Sequence, residues 1–119
     1  MLPKKYRLIG QSNFKKIATQ GRYVFLKEMG IKWLPNQLNN SCFAFIVSTQ
    51  VDKRAVARNK IKRRLREIIY CRLKNIKSGF NVLILTRPTI KSLKFEELEE
   101  RLEEMLKRAN LLNLLTDCE

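Results

Sequence analysis

The chain has 119 residues, with 25 Lys and Arg against 11 Asp and Glu and no His, for a net charge of +14 and an isoelectric point near 10.2. Its 45% hydrophobic and 8% aromatic content can build a core, which excludes a disordered basic tail, and a folded domain this basic usually faces a polyanion, either nucleic acid or an anionic membrane surface. Catalysis of the Ser–His or Cys–His type is excluded within the chain, and the odd set Cys42, Cys71 and Cys118, with no Cys-x-x-Cys pair, argues against a zinc site or a disulfide framework.

The opening stretch MLPKKYRLIG holds no apolar segment of signal-peptide length. The longest apolar runs, 42–47 and 82–85, are strand-length and far short of a membrane span, so a soluble, cytoplasmic protein is expected. Ser12 is placed to cap a short helix and Gly21 to stop it, with Phe14, Ile17 and Ala18 on one side. Tyr23–Phe25 and Met29–Leu34 alternate as strands do, and Pro35-Asn36 marks a turn. Cys42–Ser48 reads as a buried strand. Ile61, Leu65, Ile68, Ile69, Leu73 and Ile76 then form one helical stripe, with Asp52 near its start and Gly79 placed to end it. Phe80–Thr86 is a strand closed by Pro88. A last helix follows Ser92, with Phe95, Leu98, Leu102, Met105, Leu106 and Ala109 inside and six glutamates outside. The tail after Asn110 either extends that helix or frays. The order α-β-β-β-α-β-α predicts an α+β fold in one domain spanning 1–119, with helices covering one sheet face.

The charge is local. Residues 52–74 carry ten cations against two anions, residues 1–34 carry eight against one, and residues 95–119 carry three against eight. On a helix turning about 100° per residue, Asn59, Arg63, Arg66 and Tyr70 form a polar ridge beside the apolar stripe. Lys62 sits on the boundary, Lys60 and Arg64 point toward solvent, and Arg58 lies over the stripe. The ordinary meaning of a charge run is a solvated helix face. Ten cations repelling one another are easier to understand if a polyanion relieves the cost. Arg63 and Arg66, held beside the core, are expected to make defined phosphate contacts, while Asn59 adds both a donor and an acceptor. Arg58 serves either as a structural ion-pair partner or as a ligand contact.

Arg58-Asn59, Lys62-Arg63 and Arg66, in the order Arg-Asn-x-x-Lys-Arg-x-x-Arg, resemble the signature helix of the bacterial ribonuclease P protein subunit. Leu2-Pro3-Lys4-Lys5, Arg7-Leu8, Phe14, Gly21, Val47-Ser48, 51–56 and Arg87-Pro88 resemble that family as well, over about residues 2–110. The resemblance implies an α/β sandwich with one mixed sheet of about four strands, similar to a small-subunit ribosomal protein domain, with a left-handed βαβ crossover. It implies removal of the 5′ leader from precursor tRNA by an endonuclease whose RNA subunit carries out catalysis with Mg2+. That ion is held mainly by the RNA, and the protein binds no cofactor tightly and has no catalytic residue. It implies partnership with the catalytic RNA, at one protein per RNA, and with precursor tRNA, and none with membranes. Carried over by position, Arg58, Asn59, Lys62, Arg63 and Arg66 contact the RNA subunit, supported by Lys53 and Arg54. A leader-binding cleft falls to Phe14, Tyr6, Arg7 and Lys32, although Phe14 suits the helix–sheet core equally well. The chain departs from the family at Thr49-Gln50, where two lysines are usual, and at Ala18 and near Lys32, where aromatics are usual. Trp33 and Tyr23 are the aromatics available to compensate, but alternation with Met29 and Ile31 assigns Trp33 to the core.

Two other functions compete. A stand-alone ribosomal or DNA-binding module fits the charge. A protein-only nuclease fits poorly: Asp52 and Glu67 do not share a helical face, and the glutamates of the last helix face solvent.

Overall fold

A computed structural model describes Tyr6 and residues 11–36 and 40–112, with side chains in the first helix described from Lys15 onward. The elements are α1 (Gln11–Gln20), β1 (Arg22–Phe25), β2 (Met29–Pro35), β3 (Cys42–Ile46), α2 (Ala55–Cys71), β4 (Phe80–Thr86) and α3 (Phe95–Arg108). Short 3-10 turns occupy Leu73–Asn75 and Pro88–Ser92.

The strands form one mixed sheet in the order β1-β2-β4-β3. β1 and β4 each pair antiparallel with β2, while β3 runs parallel to β4. A parallel pair needs a long crossover, and α2 supplies it between β3 and β4. The α+β class and the element order are as the sequence predicts.

The strand period of two sends alternate residues to opposite faces. Met29, Ile31, Phe43, Val82 and Ile84 are buried on one face, with Trp33 half-buried beside them. Against them pack Leu65, Ile68 and Ile69 of α2 and Leu98, Leu102, Met105 and Leu106 of α3. The other face carries Cys42 and Leu83, packed with Ile17 of α1 and flanked by Leu34, Ala44 and Leu85. The expectation that helices cover one face is therefore corrected. β4 is apolar at Val82, Leu83, Ile84 and Leu85 in succession, so both of its faces need a cover, and α1 takes the second.

Gly21 ends α1 with its N–H donating to the Ile17 carbonyl at 2.9 Å. A Cβ there would lie 2.5 Å from the Ile17 oxygen and 2.9 Å from the Trp33 oxygen, so the chain can turn this tightly onto the sheet only at glycine. Ser12 lies inside the helix rather than before it.

Gly79 does not end α2. The helix stops at Cys71, and Leu73 enters a 3-10 turn. Ile76 leaves the helix to bridge Leu112. Gly79, with φ 89°, instead turns the chain into β4, and its carbonyl accepts from Asn36 N–H at 2.9 Å. Similarly, Ser92 closes a 3-10 turn and α3 begins at Phe95, where Glu97 accepts from the Lys94 N–H at 3.0 Å. After α3, Asn110 adopts a left-handed φ of 58° and Leu111 is buried, so the chain folds back instead of extending the helix. Leu114 and Leu115 lie outside the described residues.

Candidate nucleic-acid interface

The segment before α2 is held by a buried acid. The Asp52 side chain is 6% exposed. Its Oδ1 accepts from the Arg54 backbone N–H at 2.9 Å and from Arg54 Nε at 3.2 Å. Its Oδ2 lies 3.1 Å from Arg54 Nη2 and 3.2 Å from Lys91 Nζ. Lys91 belongs to the 3-10 turn after β4, so this carboxylate ties the entry of α2 to the far end of the sheet. Arg58 adds a second clamp by donating from Nη1 to the carbonyls of Asp52 and Lys53, at 3.1 and 3.0 Å. Arg58 is thus a structural partner of backbone oxygens rather than of a carboxylate. Lys53 and Arg54 are exposed at this corner.

Hydrogen bonds from the Arg54 side chain and backbone, and then from Lys91, hold the Asp52 carboxyl well below the usual carboxylate range, with burial opposing them. A depressed folded-state pKa gives stability that is complete above the unfolded value near 3.8 and is lost as pH falls through the folded value. Asp52→Asn should therefore unfold more readily than the parent at pH 7, and the gap should narrow below about pH 4. Denaturant midpoints at pH 7 and pH 3 test this; an equal gap at both would show that the charge contributes nothing.

No side chain caps the N-terminus of α2 and its first turn holds no acid, so free N–H groups and the positive end of the helix dipole add to Lys53 and Arg54. Along the helix, Lys60, Arg63 and Asn59 are exposed, while Lys62, Arg64 and Arg66 are half-buried. The sequence expectation set Arg63 beside the core and Arg64 in solvent, and this is corrected. Leu73 and Ile76 counted toward the helical stripe, but both lie past its end. Without them the buried stripe centres about 20° nearer Ile68, which draws Arg64 in and turns Arg63 out.

The pairing of charges separates α2 from α3. Among the described residues, Lys53, Lys60, Lys62, Arg63, Arg64 and Arg66 have no ion-pair partner. In α3, Arg101 pairs with Glu28 at 3.4 Å, Lys107 with Glu103 at 3.8 Å and Arg108 with Glu104 at 3.2 Å. Arg72, just past α2, pairs with Glu99 and Glu103 and joins the two helices. The α2 cations are therefore available to an outside anion, at the cost of mutual repulsion in its absence.

Of the expected leader-cleft residues, the two described ones, Lys32 and Tyr6, lie on opposite sides of the sheet. Lys32 pairs with Tyr23 and Leu83 on the sheet face that α1 covers in part. Tyr6 packs on the opposite side, lining a cavity of about 210 Å3 with Phe43, Leu73, Lys74 and Lys77. Arg7 and the Phe14 side chain lie outside the described residues.

On the α1 side, the sheet end carrying Phe25, Leu85 and Ile46 is open: Phe25 is 40% and Ile46 39% exposed, and neighbouring Tyr23 is 65% exposed. The Tyr23 and Phe25 rings stand 5.4 Å apart, and the Arg87 guanidinium lies 5.2 Å over the Phe25 ring. Sequence reading passed over Phe25 and Arg87 as a pair. The available signal was the Tyr-x-Phe spacing of a strand, which puts both rings on one face.

Cys42 is buried and Cys71 exposed, and burial raises the Cys42 thiol pKa. No described helix is long and apolar enough to cross a membrane.

A family model for ribonuclease P matches residues 2–110. The ribonuclease P protein component of Synechococcus elongatus is 29% identical over 117 residues, covering 94% of this chain and 96% of the relative. That of Picosynechococcus is 30% identical over 112 residues, covering 94% and 97%. The structure of the Staphylococcus aureus RNase P protein superposes with a TM-score of 0.85 at 26% identity, covering 91% of this chain and 98% of that one. The RNase P protein of Thermotoga maritima gives 0.78 at 25% identity, covering 86% and 96%.

Proposed function

This chain belongs to the ribonuclease P protein family, and on that premise we propose that it binds the catalytic RNA through α2 and receives the 5′ leader of precursor tRNA on the open end of the sheet. One observation carries the reading most directly. Six cations at and along α2 lack carboxylate partners among the described residues, whereas those of α3 are paired. Arg63 and Arg66 form bidentate phosphate contacts, Lys60 and Lys62 add point charges, and Asn59 reads a base or a ribose hydroxyl. Lys53, Arg54 and the uncapped N-terminus of α2 hold a further phosphate. Arg58 serves this surface by fixing the loop that presents Lys53 and Arg54.

In this reading, hydrolysis of the leader linkage belongs to the RNA subunit and its Mg2+. The described residues do not fit such an ion: they offer no group of three ligating side chains, and the buried Asp52 is already occupied by Arg54 and Lys91. The protein contributes binding and orientation, at one copy per RNA, in the cytoplasm.

The test is reconstitution with a bacterial ribonuclease P RNA at low Mg2+, with and without this protein. Leader release should rise when the protein is present, and RNA-free protein should release none. Multiple turnover by RNA-free protein, abolished by replacing its acidic residues, would make it a nuclease in its own right and overturn the reading.

A further inference from the structure

We propose that Asp52 is a positioning residue for Arg54, gripping one edge of its guanidinium so that the other edge takes a phosphate of the catalytic RNA, and that Lys91 is the counter-ion that keeps the charge of Arg54 available to that phosphate. The inference deepens the function proposed above and rests on it.

Three observations carry it. First, the guanidinium is divided between two sides. It presents five N–H donors in one rigid plane. Asp52 accepts from Nε at 3.2 Å and from Nη2 at 3.1 Å, which leaves the edge formed by Nη1 and the second Nη2 hydrogen. The Arg54 side chain is 77% exposed although its partner is buried. An arginine gripped on one edge and open on the other is set for a bidentate phosphate contact, with little side-chain freedom left to lose. Second, its base is fixed. The Arg54 backbone N–H is held by the same carboxylate, and Arg58 holds the carbonyls of Asp52 and Lys53. Arg54 immediately precedes α2, so the direction of its open edge is set relative to the helix that carries Arg63 and Arg66. Third, the charges do not cancel. A buried carboxylate is poorly screened by water, and facing Arg54 alone it would neutralise the cation it orients. Lys91 Nζ stands 3.2 Å from Oδ2, so two cations share one carboxylate and the cluster keeps a net positive charge. Two side-chain hydrogen bonds and one from the backbone already fix Arg54, so what Lys91 adds for the RNA is electrostatic. RNA affinity thereby depends on a lysine in the turn after β4 that need not touch the RNA.

The test is the affinity of the full chain for a bacterial ribonuclease P RNA. Arg54→Lys keeps the charge but not the fork and should weaken binding by about tenfold. Lys91→Met should weaken it by about threefold to fivefold, whereas Lys91→Arg should hold the parent affinity, because the offset requires only a cation. In an Asp52→Asn background, assayed at a temperature where that variant is folded, Lys91→Met should cost nothing further, since no carboxylate charge is left to offset. Arg54 and Lys91 are exposed, so the single variants at these positions should keep the parent's urea midpoint to within a small shift. Parent affinity in Arg54→Lys would overturn the positioning role, because charge alone would then suffice. A Lys91→Met loss that is equal in the parent and Asp52→Asn backgrounds would overturn the counter-ion role, because Lys91 would then contact the RNA itself. A parent protein that binds this RNA no more tightly than an unrelated RNA of equal length defeats the proposed function, whereas selective binding by the parent with either of those results defeats the positioning inference alone.

Discussion

Replacing Arg63 and Arg66 together by alanine should weaken binding to ribonuclease P RNA by at least about a hundredfold and lower the slope of log K against log salt by about two. Each charge-assisted contact contributes about 1.5–3 kcal/mol, and each lost phosphate contact removes about one released counterion. Total charge is not the explanation, and a matched control separates the two. Lys107→Ala with Arg108→Ala removes the same two charges from α3, where both are paired with glutamates. That variant should keep nearly the parent slope. Equal slopes for the two double variants would mean that the protein senses RNA only through net charge, and that α2 has no privileged contact.

Leu65→Ala should cost about 2–5 kcal/mol of folding stability. Leu65 is fully buried beneath the basic helix, in the cluster shared by the sheet, α2 and α3. Truncation leaves a cavity that rigid strands and a helix locked by Ile68 and Ile69 cannot collapse to fill. The measurement is urea unfolding, with a lowered midpoint and an unchanged m-value. A loss below about 1 kcal/mol would mean that α2 rests loosely on the sheet. At a temperature where the variant remains folded, its RNA affinity should change far less than that of the arginine double variant, because the cations above Leu65 are untouched.

The sequence was most informative where one period governed a whole element. Met29, Ile31 and Trp33 alternate onto one face, and Leu65, Ile68 and Ile69 recur as a helical stripe, so those elements were legible. Boundaries were less so. Ile76 continues the apolar spacing of α2 yet sits on a bridge to Leu112, because the spacing of apolar residues does not reveal where a helix yields to a turn. That error moved the inferred stripe and exchanged the surroundings of Arg63 and Arg64. The second covered face of the sheet was foreshadowed by the unbroken apolar run of β4 but not read from it. The basic surface was legible as an ordered set from Arg58 to Arg66. The two clamps beneath it were not: Arg58 reaches backbone oxygens and Lys91 reaches Asp52 across 39 positions of sequence, and no local pattern encodes either.

The Arg72 bridge to Glu99 and Glu103 fixes two oppositely charged helices side by side on one layer. Packed helices lie about 8–10 Å apart, comparable to the screening length of about 8 Å at physiological salt. An approaching polyanion therefore meets attraction and repulsion that are resolved from each other, and it experiences a torque before any contact forms. Encounters that arrive over α3 are turned away and those over α2 are retained, so the charge arrangement acts on association rate and lateral alignment. Reversing the outer glutamates of α3 would then leave the contact residues intact while admitting misaligned encounters.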